Sequence, residues 1–268
     1  MARNSLKNVC RLIDVTKANI EPEQSFLNDL KRSIEMTEEK NQKIPSCTYK
    51  PSSMQCVRNM WYQVTGKEPD PANASYVLTG ICNAGTDIHE RVQQAVIDMK
   101  SNNMDCEYIN VADFVRSRNL DYLEIKKEPN LAEGEYETKL YHKDLNISFL
   151  CDGIIRYKDH YYILELKTET SRKWWDRKGV DPKHYNQGTA YSLAFNIDEV
   201  IFVYISRDNL DMKSFMFNVT DDMKQELVGK IEECDGYKNR LICPPKPEDL
   251  PKNVCEYCNY KQSCRKEN

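Results

Sequence analysis

Apolar and polar positions alternate most sharply between Ile147 and Thr168, ISFLCDGIIRYKDHYYILELKT, where two β-rich runs flank Lys158, Asp159 and His160 and predict a hairpin. Successive strand residues point to opposite faces of a sheet, so Tyr161, Ile163, Glu165 and Lys167 share one face and Leu164 and Leu166 the other. Whether Asp152 joins the charged face depends on the turn. A connection of two or four residues pairs it with Glu165 or Lys167, whereas three residues need a bulge to correct the face; the even register is the expectation.

Elsewhere the period changes. Glu21 to Lys43 sets Phe26, Leu27, Leu30 and Ile34 at helical spacing among charges, predicting an amphipathic helix that packs on the domain or on a partner, a second copy included. A second helix runs through MQCVRNMWYQV, with Met54, Val57, Trp61 and Val64 inward and Gly66 ending it, and Cys56 and Arg58 lie on it. Pro69 to Ala74 is turn-rich, and GTDIHERVQQAVIDMK then predicts a helix with Ile88, Val92, Ala95 and Met99 as its buried stripe and His89 beside that stripe. A lone histidine there is more often structural than a ligand. The stretch from Asn102 to Asn119 carries no clear period. Tyr122 to Tyr141 predicts strand structure with Glu135 and Glu137 on one face, either of them a candidate acidic ligand but expected to be solvated. HYNQGTAYSLAF predicts a helix on which Gln187 and Tyr191 share a face. EVIFVYIS and KSFMFNV predict two more strands, and Thr220 caps a final helix through Met223, Leu227 and Ile231 to Cys234.

Composition sets the class. A chain of 268 residues with 40% apolar and 30% charged residues can bury a full core. Its runs fall short of the roughly 20 apolar residues that a membrane helix needs, and MARNSLKNVCRLIDV lacks a signal-peptide core. The expectation is a cytoplasmic protein of a bacterial cell, host- or phage-encoded. A net charge of -4 argues against a generic basic coat for nucleic acid, but not against a local basic channel. Eleven cysteines are many for a reducing compartment, which points to metal binding by some of them.

Chemistry enters at the hairpin. Two carboxylates and an ammonium on one sheet face are costly to bury without a counter-charge, and a divalent cation supplies one. Oxygen ligands from Asp152 and Glu165 suit Mg²⁺ or Mn²⁺, with Lys167 placed to orient water or offset developing charge; the alternative is a surface ion pair. After the hairpin, Arg172, Lys173, Arg177 and Lys178 interleave with Trp174 and Trp175, a mixture that suits unpaired nucleic acid, or else a solvated loop with a tryptophan anchor. In the proline-rich tail, Cys255-x2-Cys258-x5-Cys264 supplies three thiolates at metal-ligand spacing, and no histidine follows to complete a zinc knuckle. A fourth ligand must come from a distance, for a [4Fe-4S] cluster or for Zn²⁺.

Taken together, Cys56 followed by Arg58 and Trp61, Gly85-x3-His89, Asp152, Glu165-Leu166-Lys167, Gln187-x3-Tyr191 and the tail cysteines stand in the order and spacing of a known family. Over residues 47 to 264 the chain resembles the RecB-like PD-(D/E)xK exonucleases that carry an iron–sulfur cluster, the CRISPR-associated exonuclease type. The resemblance implies an α/β fold with a mixed central sheet flanked by helices. It also implies a division into an N-terminal helical extension, 1–46, and a nuclease domain, 47–268, with a cluster-binding tail, 243–268.

The resemblance further implies that His89, Asp152, Glu165 and the main-chain carbonyl of Leu166 bind catalytic Mn²⁺ or Mg²⁺. Lys167 would position the attacking water, and Gln187 and Tyr191 would place the lysine and the DNA. Cys56, Cys255, Cys258 and Cys264 would ligate the cluster, leaving the other seven cysteines as small buried hydrophobes. The implied activity is metal-dependent cleavage of DNA at free ends or in single strands. The alternatives are a nuclease of CRISPR adaptation working with an integrase, and an inactive nucleic-acid-binding subunit. The chain departs from the family pattern in three ways: no proline precedes Asp152, an extra N-terminal helix is present, and Trp174-Trp175 is inserted.

Overall fold

The central hairpin turns in two residues. Lys158 and Asp159 both take left-handed backbone, with φ of 49° and 64°, between Tyr157 and His160, which pair across the strands. This is the connection whose twist matches that of its strands. The pairing runs from Tyr157↔His160 to Gly153↔Leu164, the even register, and the Asp152 carboxylate beyond it accepts the Leu166 amide on the facing strand. The structure is a computed structural model and describes residues 21–40, 45–70, 75–131, 134–248, 250, 252–256 and 258–267.

Around this hairpin the described strands form a mixed α/β architecture. Strands β1 (Cys106–Ile109), β5 (Gly153–Tyr157), β6 (His160–Glu169), β7 (Glu199–Ser206) and β8 (Met212–Asn218) make one sheet in the order β1-β5-β6-β7-β8, while β2 (Leu123–Lys127), β3 (Thr138–His142) and β4 (Ile147–Cys151) make a second. The larger sheet is mixed: β6 and β7 are parallel and the other neighbours antiparallel. The run from Ile147 to Tyr157 leaves one sheet for the other at Asp152, between β4 and β5. Gly153 follows there because a Cβ would lie 2.7 Å from the Tyr108 ring, closer than packed carbon atoms come.

The described helices include α1 (Pro22–Lys40), α2 (Val57–Val64), α3 (Tyr76–Ser101), α4 (Val111–Ser117), α5 (Ser171–Asp176), α6 (Tyr185–Phe195) and α7 (Asp221–Asn239). None is long and apolar enough to cross a membrane. The chain divides into two compact units, one of Met1–Lys43 and Ala72–Cys82, the other of Ile44–Pro71 and Asn83–Asn268. In the first, Phe26, Leu27, Leu30 and Ile34 of α1 are exposed. The predicted end of that helix at residues 41–43, the turn-rich 71–74 and the leading MARNSLKNVCRLIDV lie outside the described residues.

In the second unit the larger sheet is covered on both faces. Ile163 and Phe202 meet Tyr191, Ala194 and Phe195 of α6 and, beyond them, Met60 of α2 and Leu227 and Ile231 of α7. Leu164, Leu166 and Ile205 meet Ile88, Val92, Val96 and Met99 of α3. Each such aliphatic side chain contributes about 1.5–3 kcal/mol when fully buried. Val96 completes the α3 stripe in place of the predicted Ala95, which is exposed. The sequence left some elements unread and one helix short. Strand β1 and helix α4 occupy the stretch without a period, and α3 starts at Tyr76 instead of Gly85, because its first turns leave Val77, Leu78 and Ile81 exposed and show no buried stripe.

Candidate metal site

Asp152, at the break between β4 and β5, and Glu165 on β6 are both buried, 6% and 3% exposed. Asp152 is fixed from two directions. Its Oδ2 accepts the Leu166 amide at 2.7 Å, and its carbonyl accepts the Gln93 side-chain amide at 2.7 Å and the Tyr108 hydroxyl at 3.3 Å. His89 Nδ1 lies 3.7 Å from Asp152 Oδ1, carried there by α3, which passes so close to β6 that a Cβ on Gly85 would meet Thr168 Oγ1 at 3.2 Å.

Glu137 completes this group. One ligand atom each from His89, Glu137 and Asp152 lies within 4.8 Å of the others. Expected to be solvated, Glu137 is instead turned in at the entrance to β3, while Glu135 stays at the surface and pairs with Lys127 at 2.8 Å. Alternation put both glutamates on one face, but depth beneath that face is a tertiary property. Glu165 stands beside the group, where Asp152, His89 and Lys167 all act on its charge.

A chain of hydrogen bonds holds the lysine. Lys167 Nζ donates to Glu165 Oε1 at 2.5 Å and to Gln187 Oε1 at 2.9 Å. The Gln187 amide donates to Glu165 Oε1 at 2.6 Å and to the Tyr191 hydroxyl at 2.9 Å, which in turn donates to the Leu150 carbonyl at 2.9 Å. Two of the three ammonium protons are thereby used, and the third remains for a ligand.

The electrostatics are those of a buried anionic cluster. Burial raises the Glu165 carboxyl to about 7 against the pull of Lys167, with Asp152 adding to the rise. Burial, followed by the charge of Asp152, likewise raises Glu137 to about 7. For Asp152 burial is outweighed by His89, Lys167 and the Leu166 amide, and its pKa falls below the ordinary value. For His89 burial is outweighed by Asp152, and its pKa rises. Glu165 Oε2 is buried without any hydrogen-bond partner. An orphaned carboxylate oxygen beside two further carboxylates and an imidazole is a donor set that fits a hard divalent cation.

Cys56, Cys255, Cys258 and Cys264 lie in one region. Cys56 feels the charges of Cys258 and Cys255, and Cys258 those of Cys264 and Cys255, burial being the main cause that raises both thiols. The tail is fastened there by side chains. Asp70 accepts the Ser263 amide at 3.0 Å and its hydroxyl at 2.6 Å, and Glu267 accepts from Tyr62 at 2.6 Å. Among the described residues no three cysteines bring their sulfurs within 4.8 Å of one another. Among the described residues these thiols are therefore not gathered into a metal-ligand cluster. Of the remaining cysteines, Cys106, Cys151 and Cys234 are buried as expected, Cys243 is half-buried, Cys47 and Cys82 are exposed, and Cys10 lies outside the described residues.

The basic, aromatic stretch is divided by the fold. Trp174 is buried with its indole N–H on the Tyr204 carbonyl at 3.1 Å, and Arg177 grips both oxygens of Glu169 at 2.6 and 2.7 Å. Neither is free for a nucleic acid, because β7 and the end of β6 claim them. Arg172, Lys173, Trp175 and Lys178 are exposed.

No protein-family model matches the sequence, and no curated protein matches it. Among solved structures the chain is similar to SSO0001, at 18% identity over 91% of this chain and 98% of that one, with a TM-score of 0.46. It is also similar to LHK-Exo, an alkaline exonuclease from Laribacter hongkongensis, at 10% identity over 74% of this chain and 92% of that one, TM-score 0.35. LHK-Exo in complex with dAMP gives 10% identity, 73% and 91% coverage and a TM-score of 0.36.

Proposed function

We propose that this protein is a metal-dependent deoxyribonuclease of the RecB-like PD-(D/E)xK type, hydrolysing phosphodiester bonds at DNA ends or in single strands. The observation that carries the reading is that Asp152, bonded to the Leu166 amide, is brought beside Glu165, whose Oε2 is buried and unpartnered, next to a lysine held by Glu165 and Gln187. His89, Asp152, Glu165 and the Leu166 carbonyl would hold Mn²⁺ or Mg²⁺, with Glu137 as an additional oxygen donor. When bound, such a cation supplies Lewis acidity to a phosphoryl oxygen and makes nearby water more acidic.

The chain's own residues do the rest. The remaining proton of Lys167 orients the attacking water, while Glu165 Oε1 and Gln187 keep the ammonium aimed. Tyr191, anchored on Leu150, fixes the Gln187 amide, so helix α6 sets the geometry of the lysine on β6. Arg172, Lys173, Trp175 and Lys178 supply positive charge and a stacking face for a single strand.

Cys56, Cys255, Cys258 and Cys264 would hold a [4Fe-4S] cluster, as the family resemblance implies, with Zn²⁺ as the alternative. The buried guanidinium of Arg58, which feels the charge of Cys264, suits a negatively charged group. The test is to incubate anaerobically purified protein with end-labelled single- and double-stranded DNA and Mn²⁺, recording a visible absorption spectrum alongside. Cleavage that Asp152→Asn abolishes, with absorbance that Cys258→Ser removes, is the expected result; a colourless protein that leaves DNA intact contradicts both halves of the reading.

A further inference from the structure

Beside the site, His184 belongs neither to the metal ligands nor to the chain of hydrogen bonds that holds Lys167. It closes the short turn Pro182–His184 that leads into α6. The turn is anchored by the Gln55 amide on the Lys183 carbonyl and by the Asn186 amide on the Met54 carbonyl at 2.9 Å. The β6–β7 register sets Phe202 beside Glu165 and Tyr204 beside Lys167, and paired residues of neighbouring strands share a face. The His184 ring stacks on both aromatic rings, with centroids 6.0 Å and 5.8 Å away and planes 10° and 25° apart. The imidazole therefore lies one strand over from the Glu165–Lys167 pair and on their face of the sheet.

Its proton can be located. The buried Tyr204 hydroxyl accepts the Asp181 amide at 3.0 Å and lies 2.8 Å from His184 Nδ1. A buried hydroxyl proton needs an acceptor, and Nδ1 is the one in reach, so Nδ1 accepts and the ring proton resides on Nε2. Burial, then the positive charges of Lys167, Lys183 and Arg177, press the imidazole down to about 2, so the ring is neutral. Nε2 makes no hydrogen bond among the described residues and is not fully buried. Of the three cations, Arg177 is occupied by Glu169 and Asp181, and Lys183 lies 3.6 Å from Asp181 with its side chain 41% exposed.

We propose that His184 is a phosphate-binding donor, its Nε2–H presented beside Lys167 and Lys183 to a non-bridging oxygen of the nucleic-acid backbone next to the bond that is cut. A neutral N–H suits this place: it holds an anionic oxygen without adding a cation to repel the metal or Lys167. The inference rests on the nuclease reading for its substrate, and its test is built to fail separately.

The chain has four histidines, so ¹⁵N-histidine labelling gives a short spectrum in which loss of one signal in His184→Gln identifies His184. The expected pattern is the Nε2–H tautomer, with the Nε2 resonance shifting when 5′-phosphorylated thymidine dinucleotide is added in metal-free buffer. In cleavage assays His184→Phe, which keeps the stack and removes the donor, should lower kcat/KM about tenfold. His184→Gln, which sets an amide N–H near the place of Nε2, should recover most of that loss. A proton found on Nδ1, no shift on adding the dinucleotide, or a folded His184→Phe protein within twofold of wild type overturns the proposal; if that variant does not fold, the spectrum of the wild-type protein decides. Should the resonance shift while the protein leaves DNA uncut, the nuclease reading falls and the phosphate site stands.

Discussion

The amide of Leu166 donates to Asp152 Oδ2 at 2.7 Å, locking the aspartate against the strand that carries Glu165 and Lys167. That bond depends on the parity of the turn at Lys158-Asp159. Inserting one glycine between them should turn Asp152 to the other face and remove Mn²⁺ binding, as read by isothermal titration calorimetry. In contrast, Lys158→Gly relieves left-handed backbone at an exposed lysine and should raise stability by about 1 kcal/mol in denaturant unfolding.

Metal binding should strengthen with pH. Glu165 and Glu137 are raised to about 7 by burial, so below that pH protons compete with the cation. The same shift acts on the fold: a carboxyl whose folded pKa is raised stabilises below its unfolded value, near 4.5, and that stability is lost as pH rises through about 7. The metal-free protein should therefore lose Tm between pH 5 and pH 8 through these two groups, and the increase in Tm on adding Mn²⁺ should grow over the same range. An increase that does not change with pH would mean that neither glutamate is a ligand.

Removing the lysine should separate binding from turnover. Lys167→Ala takes away the ammonium held by Glu165 and Gln187 but none of the ligand oxygens. Cleavage should drop by about 100-fold or more while Mn²⁺ still binds, a split that single-turnover kinetics and calorimetry resolve together.

Gly153→Ala should destabilise by about 1–3 kcal/mol, because the new methyl meets the Tyr108 ring at 2.7 Å. Adding Tyr108→Leu should recover part of the loss, and a double-mutant cycle in urea measures the coupling.

The two adjacent tryptophans should behave in opposite ways. Trp174→Ala empties a buried site and should cost about 3–5 kcal/mol of stability. Trp175 is 67% exposed, and Trp175→Ala should leave stability within about 0.5 kcal/mol while weakening single-stranded DNA binding by about 1–3 kcal/mol, measured by fluorescence anisotropy.

The sequence by itself determined the relations that local periodicity sets. Alternation puts Glu165 and Lys167 on one face, an even turn, which the structure makes two residues long, brings Asp152 toward them, and a four-residue helical step stacks Gln187 and Tyr191. All three are properties of one backbone segment, or of two segments joined by a short turn. The tertiary structure alone decided the depth of Glu137, the stacking of His184 on Phe202 and Tyr204, the capture of Trp174 and Arg177 by β7 and β6, and the exposure of the α1 stripe. Each of these depends on which distant strand or helix lies alongside. Residue spacing carries no record of that, because burial is set by partners far away in the chain.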